Sequence, residues 1–335
     1  MNTGLDAPVP LVRIERGGEV ESRHSGWWVI VEPTGEVVAG GGDPATPVFA
    51  RSASKPLQAL AMLTSGAADA HDVTDEEVAL ACASHSGQER HVALVETWLR
   101  RLGLTGADLR CGPQPRPWVR AGSETAVHNN CSGKHAGFLT LSLHLDQAPA
   151  DYLDPVGAGQ RAVRAHLAHA TGTPDGDLVV AVDGCSAPTY RLPLRALATG
   201  LARLVAPPEG GPDAAASRRV VGAMTAHPEL VGGTNGRLCT EIMRAAGGRL
   251  VAKTGAEGVF VVAHRRDGRA LAVKVADGAH RGHEVFLVAL LDALGWLDGD
   301  GAAAVEDWRA GTIRNWAGLV TGRRVMEPGA LDAVG

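Results

Sequence analysis

An α+β fold, in which strands near both termini build one antiparallel sheet and helices occupy the middle of the chain, is what the sequence predicts. Three observations carry that expectation. Residues 10–42 alternate apolar and polar side chains between turn signals, which is the period of half-buried strands. A second stretch of the same kind follows at about 249–276. Between them, from about 52 to 246, apolar residues recur at helical spacing, with capping and breaking signals at the ends of each run. Strands at both ends with helices between favour an antiparallel sheet over a parallel one. The 335 residues are expected to form one domain, 1–335.

Taken in order, LVRIERGGEVESRHSGWWVIVEPTGEVVAG breaks at Gly17-Gly18 and at Pro33-Thr34-Gly35, which predicts two or three strands. A Gly- and Pro-rich link from Gly40 to Pro47 leads to helical periodicity near Ser52. Thr74 and Glu77 form a capping box, each side chain satisfying a free backbone N–H at a helix start. Further helices are expected at about 87–102, 132–145 and 155–171. The segment LVVAVDGCSAP (178–188) reads as a buried strand ending in a loop. Helices follow near 193–205, 215–226 and 236–246, with the loop Ala206 to Asp213 between the first two. RLVAKTG and GVFVVAHRRDGRALAVKVADG then form a second hairpin with Asp267-Gly268 at its turn, and a helix at about 281–296 closes it.

Composition excludes several function classes. The net charge is −5, with 21% charged and 45% hydrophobic residues, an ordinary globular balance that argues against nucleic acid as the main partner. No apolar run approaches the ~20 residues that span a bilayer, so no membrane association is expected. The N-terminal MNTGLDAPVPLVRIERGG lacks the basic-then-apolar order of a signal peptide. Five widely spaced cysteines (Cys82, Cys111, Cys131, Cys185, Cys239) argue against a disulfide framework and for a reducing cytoplasm. Only four of the 32 basic residues are lysine: Lys55, Lys134, Lys253 and Lys274. Arginine stays charged at any relevant pH, whereas a lysine amine can lose its proton and act as base or ligand. Each lysine is therefore a candidate.

Ser52 and Lys55 are spaced i,i+3 where a strand gives way to a helix. That puts hydroxyl and amine on one helical face, near a helix N-terminus that favours developing negative charge. A neutral lysine there could take the serine proton, although Ser52 could equally serve as a plain N-cap. Lys253-Thr254-Gly255 ends a late strand, and S-x-x-K with a later K-T-G resembles the pairing of serine β-lactamases and penicillin-binding proteins. A second cation near Lys55 would lower its pKa. Ser84, in Ala83-Ser84-His85-Ser86-Gly87, could shuttle a proton, or could simply belong to a serine-rich helix-ending loop. Cys131 and Lys134 are again i,i+3, and Cys185 sits at a strand end where a distant ligand could be brought alongside. Two thiolates, one nitrogen and an open position suit zinc, although the spacing matches no common structural zinc motif and buried inert cysteines account for the same residues.

Other features are weaker. His166 and His169 read as solvated on a surface helix, and His280-x-x-His283 lacks a third metal ligand in sight. Lys274 could face either side of its strand. Gly157-x-Gly159 follows Asp-Pro rather than a strand and is not a dinucleotide fingerprint. Cys82, Cys111 and Cys239 read as core residues.

The blocks RSASKPLQ (51–58), ACASHSGQERH (81–91), HNNCSGKHAGFL (128–139), DGCSAPTY (183–190) and AKTGAEGVF (252–260) together resemble the class 3, rhizobial-type L-asparaginase family, in the family's order. The resemblance implies a fold akin to serine β-lactamases and glutaminases, a homodimer, and hydrolysis of L-asparagine to aspartate and ammonia. It implies two Ser-Lys pairs, Ser52 with Lys55 and Ser84 with Lys253, with Ser52 as nucleophile. It implies one zinc ion per subunit on Cys131, Lys134 and Cys185 with water as fourth ligand, orienting substrate rather than supplying the nucleophile. Asp183 and His135 match positions lining the site, and Arg51 flanks the nucleophile.

Three other readings stay open on sequence alone. A penicillin-recognising hydrolase shares the serine and lysine motifs but leaves the cysteine-lysine cluster unexplained. A glutaminase differs by one substrate methylene, worth only about 1–3 kcal/mol of discrimination. A non-catalytic amino-acid-binding protein with structural zinc would have no need of two Ser-Lys pairs.

Overall fold

The computed structural model describes residues 7–210 and 212–334. The strands, in chain order, are β1 (Val9–Arg16), β2 (Glu19–Val31), β3 (Val37–Gly41), β4 (Pro47–Phe49), β5 (Val179–Val182), β6 (Pro188–Pro193), β7 (Leu250–Gly255), β8 (Val259–His264), β9 (Ala270–Val275), β10 (Thr312–Arg314) and β11 (Val320–Met326). Eight of them form one sheet in the order β10-β11-β1-β2-β9-β8-β7, with β3 beside β2. Every pairing in it is antiparallel. The expected α+β fold with a sheet drawn from both ends of the chain is what the structure has.

Chemistry explains where the sheet is buried. The outer half of β2, Glu19 to Arg23, is mostly exposed, whereas Trp28 to Val31 are all at most 1% exposed. Consecutive strand residues point to opposite faces, so an unbroken apolar run requires cover on both. The helix Leu194–Val205 lies across β2, β8 and β9. Phe286 of the helix Glu284–Ala293 meets Trp28 with ring centroids 5.7 Å apart.

Three expectations change. The sheet gains β10 and β11 from residues 312–326, none of whose strand side chains is fully buried, so no clear apolar–polar alternation marks them. β4 leaves the main sheet and joins β6 and β5 in a separate three-stranded one. The strand expected to be buried, 178–188, is instead an edge: Val179 is 51% and Val182 79% exposed, because β5 has a partner on one side only. The Thr74–Glu77 capping box forms as expected, opening the helix Asp75–Ala81.

Candidate active site

Ser52 sits in a tight 3-10 turn, Arg51–Ser54, just ahead of the helix Lys55–Thr64. The helix therefore begins three residues later than expected, and Ser52 is in the approach rather than the first helical turn. Ala50 N–H donates to Tyr190 O (2.9 Å) and ties the approach to β6. Arg51 takes φ +47°, a left-handed conformation costly for a residue with a Cβ. Its guanidinium reaches Asp183 Oδ1 through Nε (2.9 Å) and Nη2 (2.8 Å). Burial opposes ionisation of Asp183, but the charges of Lys134 and Arg51 outweigh it and hold the carboxyl below its usual range. β7 lies against this turn because Gly255 has no side chain: a Cβ there would stand 3.2 Å from Ala53 N and 3.3 Å from Ala50 O.

Lys55 does not bond to Ser52. Its amine donates to Ala83 O, to Ser84 Oγ (3.2 Å) and to Cys131 Sγ (3.1 Å). Ser84 is 4% exposed, and its oxygen also lies 2.8 Å from Lys253 Nζ on β7. Both lysines thus converge on Ser84, whereas the Ser52 hydroxyl lines the neighbouring cavity. The lysine driven toward neutrality is Lys253: complete burial pushes its pKa far down, and the charge on Lys55 pushes it further. The loop carrying Ser84 is fixed by Ser84 N–H to Val231 O (3.0 Å) and by Arg237 Nη2 to Ser84 O (2.7 Å).

Cys131 precedes the helix Ser132–His144, Lys134 is in that helix's first turn, and Cys185 lies just beyond β5. The fold brings the three together. Lys134 Nζ is 3.1 Å from Cys185 Sγ, and the two thiols hydrogen-bond to one another. The hydrogen bond from Cys185 lowers the pKa of Cys131 well below the ordinary thiol value; burial opposes this, and Lys55 and Lys134 favour it. The same hydrogen bond, with burial, keeps the proton on Cys185. Burial works against charge on Lys134, but Cys185 and Cys131 keep it protonated. Among the described residues no cluster of three or more His, Cys, Asp or Glu could hold a metal; Cys131 and Cys185 reach three donors with the Lys134 amine. Two buried sulfurs and one amine, which would give up its proton on metal binding, fit zinc by ligand type.

The cavity beside Ser52 and Ser84 measures about 380 Å³. Asn130, Arg237, Thr254, Gly255 and Glu284 share its lining. His280 and His283, a weak metal-binding pair on sequence spacing with no third ligand in sight, are on this wall too. Cys239, expected in the core, lines it as well. His135 is elsewhere: it is fully buried with Nδ1 2.6 Å from the Tyr152 hydroxyl, and burial keeps it neutral. Lys274 donates to Glu257 O (2.7 Å) and joins neither cluster. His169 pairs with Asp213 at the surface (3.4 Å), and His166 bonds to Thr64. All five cysteines are free thiols. A larger hollow of about 820 Å³, lined by residues such as Leu60, His166 and Arg203, holds neither Ser52 nor Ser84 and none of the four lysines.

Sequence reasoning missed Arg237 as a site residue. Its only signal was the loop Gly232-Gly233-Thr234-Asn235-Gly236 before a helix, a turn-rich approach of the kind that positions functional side chains.

No curated protein matches the chain. Among solved structures it is similar to a β-lactamase from Mycobacterium bovis, at 16% identity over 82% of this chain and 95% of that one, with a TM-score of 0.41. It is also similar to a candidate β-lactamase from Bacteroides dorei DSM 17855, at 11% identity over 92% and 94% of the two chains, again with a TM-score of 0.41. The profile of the family described as L-asparaginase II matches residues 12–326, a span that contains every serine, lysine and cysteine of the two clusters. The chain belongs to the L-asparaginase II family, and its enzyme class is that of an L-asparaginase.

Proposed function

We propose that the protein hydrolyses L-asparagine to aspartate and ammonia through a nucleophilic serine served by buried lysines, beside a zinc site. The observation that carries the reading is the convergence of Lys55 and Lys253 on Ser84 in a cavity that also exposes Ser52, within a chain of the asparaginase family. Ser52 attacks the side-chain amide carbon, and its proton passes to the lysine-serine network behind it. Lys253, held without its proton by burial, is the resting acceptor. Returned through Ser84, that proton leaves with the amide nitrogen as ammonia. Water then hydrolyses the aspartyl ester and restores Ser52.

Cys131, Lys134 and Cys185 would hold the zinc, whose contribution when bound is to polarise and orient the substrate. Asp183, fixed by Arg51 and close enough to feel the Lys134 charge, stays ionised and can receive the substrate ammonium group. His135, hydrogen-bonded to the Tyr152 hydroxyl and outside the cavity lining, would act as a positioning residue. The functional unit is a homodimer of the cytoplasm in this reading; light scattering on the purified protein tests the first part. Among the described residues no helix is long and apolar enough to cross a membrane.

The deciding experiment is ammonia release from L-asparagine with L-glutamine alongside. Release from asparagine supports the reading, and release mainly from glutamine replaces it with a glutaminase. A second reading of the nucleophile is favoured by one contact: Ser84, not Ser52, has the neutral lysine within hydrogen-bond distance. Mass spectrometry of an aspartyl-enzyme trapped by acid quench separates the two, since the ester maps to the peptide carrying Ser52 or to that carrying Ser84.

A further inference from the structure

The cavity carries one guanidinium that the chemistry above leaves unused. Arg237 donates through Nη2 to Ser84 O (2.7 Å) and through Nη1 to Ser86 Oγ and Gly232 O (both 3.0 Å). All three acceptors are uncharged. Glu241, the acid nearest in sequence, is occupied by Gly236 N–H (3.2 Å) and the Trp308 indole. Glu284, the carboxylate on the cavity wall, is paired with Arg324. Among the described residues Arg237 has no ion-pair partner, whereas Arg51 is neutralised by Asp183. A half-buried cation without a counter-charge is costly, and a guanidinium with five donors, three of them used, keeps two for the two oxygens of a carboxylate.

A second observation points to the same ligand. His283 is 1% exposed and lines the same cavity. Its Nδ1 is sealed from solvent without a hydrogen-bond partner. Burial drives its pKa down to about 3, with the charges of His280 and Lys274 adding to the effect, so the ring is neutral. A neutral imidazole carries one N–H; with that proton on Nε2, which is not among the sealed unpartnered atoms, His283 would have one hydrogen bond to give.

We propose that Arg237 and His283 form a carboxylate subsite that anchors the α-carboxylate of the substrate in the cavity of Ser52 and Ser84. This rests on the asparagine reading and extends it: the substrates are ω-amides that carry a free α-carboxylate, and simple amides are excluded for lack of an anchor.

The test pairs a protein change with a substrate change. L-Asparagine and β-alaninamide share the amide and the amine, but only the first has the carboxylate. In the wild type, loss of the carboxylate is expected to lower kcat/KM about 10- to 100-fold, the scale of a hydrogen-bonded charge. Arg237→Gln should lose a similar factor on asparagine, mainly through KM, and little on β-alaninamide. Arg237→Lys should recover part of the loss, and His283→Ala should show the same substrate dependence more weakly. Equal losses on both substrates would mean that Arg237 only clamps the loop 84–86, which overturns the proposal. If Arg237→Gln does not fold, the Lys and His283 variants give the same comparison. Calorimetric binding of L-aspartate to a Ser52→Ala background separates the two levels. Affinity that falls with Arg237→Gln supports the subsite even if asparagine is not hydrolysed, and affinity that does not change rejects it even if it is.

Discussion

Ser84 Oγ lies 2.8 Å from the amine of Lys253 and 3.2 Å from that of Lys55. Two buried amines on one hydroxyl repel when both are charged, and burial together with the neighbouring charge pushes the pKa of Lys253 far down. The sign for activity follows. Lowering pH returns the proton to Lys253, so kcat/KM should fall on the acid side, with a limb far below the ~10.4 of an ordinary lysine. Lys253→Arg, which stays charged, should lose about 10²- to 10⁴-fold in kcat. A pH–rate profile with its limb in the ordinary lysine range, or an active Lys253→Arg protein, would remove Lys253 as the base.

Ser52→Ala should abolish turnover and leave stability within about ±0.5 kcal/mol, the usual range for a change that breaks no contact. The reason is geometric: Ser52 lines the cavity, while Lys55 spends its amine on Ala83, Ser84 and Cys131. Ammonia release and a denaturant melt on the same preparation check both halves. Wild-type rates in this variant would move the nucleophile to Ser84.

The lysines show how far the sequence could be read. Their scarcity singled out Lys55, Lys134 and Lys253, and the structure places all three within one buried network. Spacing, however, suggested that Lys55 serves Ser52, because i,i+3 residues share a helical face. The 3-10 turn Arg51–Ser54 keeps that alignment, yet the acceptors at Ala83, Ser84 and Cys131, brought in from distant parts of the chain, take up the amine instead. The role of Arg237 depends on what is absent around it, a counter-charge, and no local pattern reports that. The same limit applies to β5: VVAV reads as buried from its composition, and only the arrangement of neighbouring strands makes it an edge.

Replacing Cys131 or Cys185 by Ser should lower zinc content, measured by plasma mass spectrometry, and raise KM for asparagine. The affinity loss should exceed the roughly 10- to 100-fold that follows removal of a mere outer partner. Cys82→Ser is the control, since that thiol is fully buried, with burial pushing its pKa up to about 12, and lies outside the cluster. Equal zinc in all three variants would dissolve the metal site.

Acid should destabilise the protein before carboxylates titrate. His85, His135 and His283 are buried and held neutral, each mainly by desolvation. Above the unfolded-state value of ~6.5 both states are neutral and nothing is lost. Below it the unfolded chain takes up protons that the native state refuses, so stability falls as pH drops toward the depressed native values. Each histidine contributes on the order of 1 kcal/mol per pH unit there. Urea melts through that window should show the decline, and a flat stability would mean that these rings are protonated in the native state.

Gly133 supplies the sharpest steric test. It lies between Cys131 and Lys134 in the helix Ser132–His144, and a Cβ there would stand 2.3 Å from Leu80 O and 2.5 Å from Leu80 Cγ. Helix propensity alone favours Gly→Ala by about 1 kcal/mol. The backbone oxygen of Leu80 cannot rotate aside as a side chain can, so overpacking of about 1–3 kcal/mol should dominate. Gly133→Ala is therefore expected to lower stability. It should lower activity as well, because Leu80 closes the helix that leads to Ser84 while Gly133 opens the one that carries Lys134. Gly222→Ala is the matched control: that glycine is also helical, but its added Cβ meets nothing within 4 Å, so propensity should act alone and the protein should gain stability. Parallel melts and ammonia assays of the two variants decide the point, and two equal shifts would show that this close approach does not hold the serine and cysteine clusters in register.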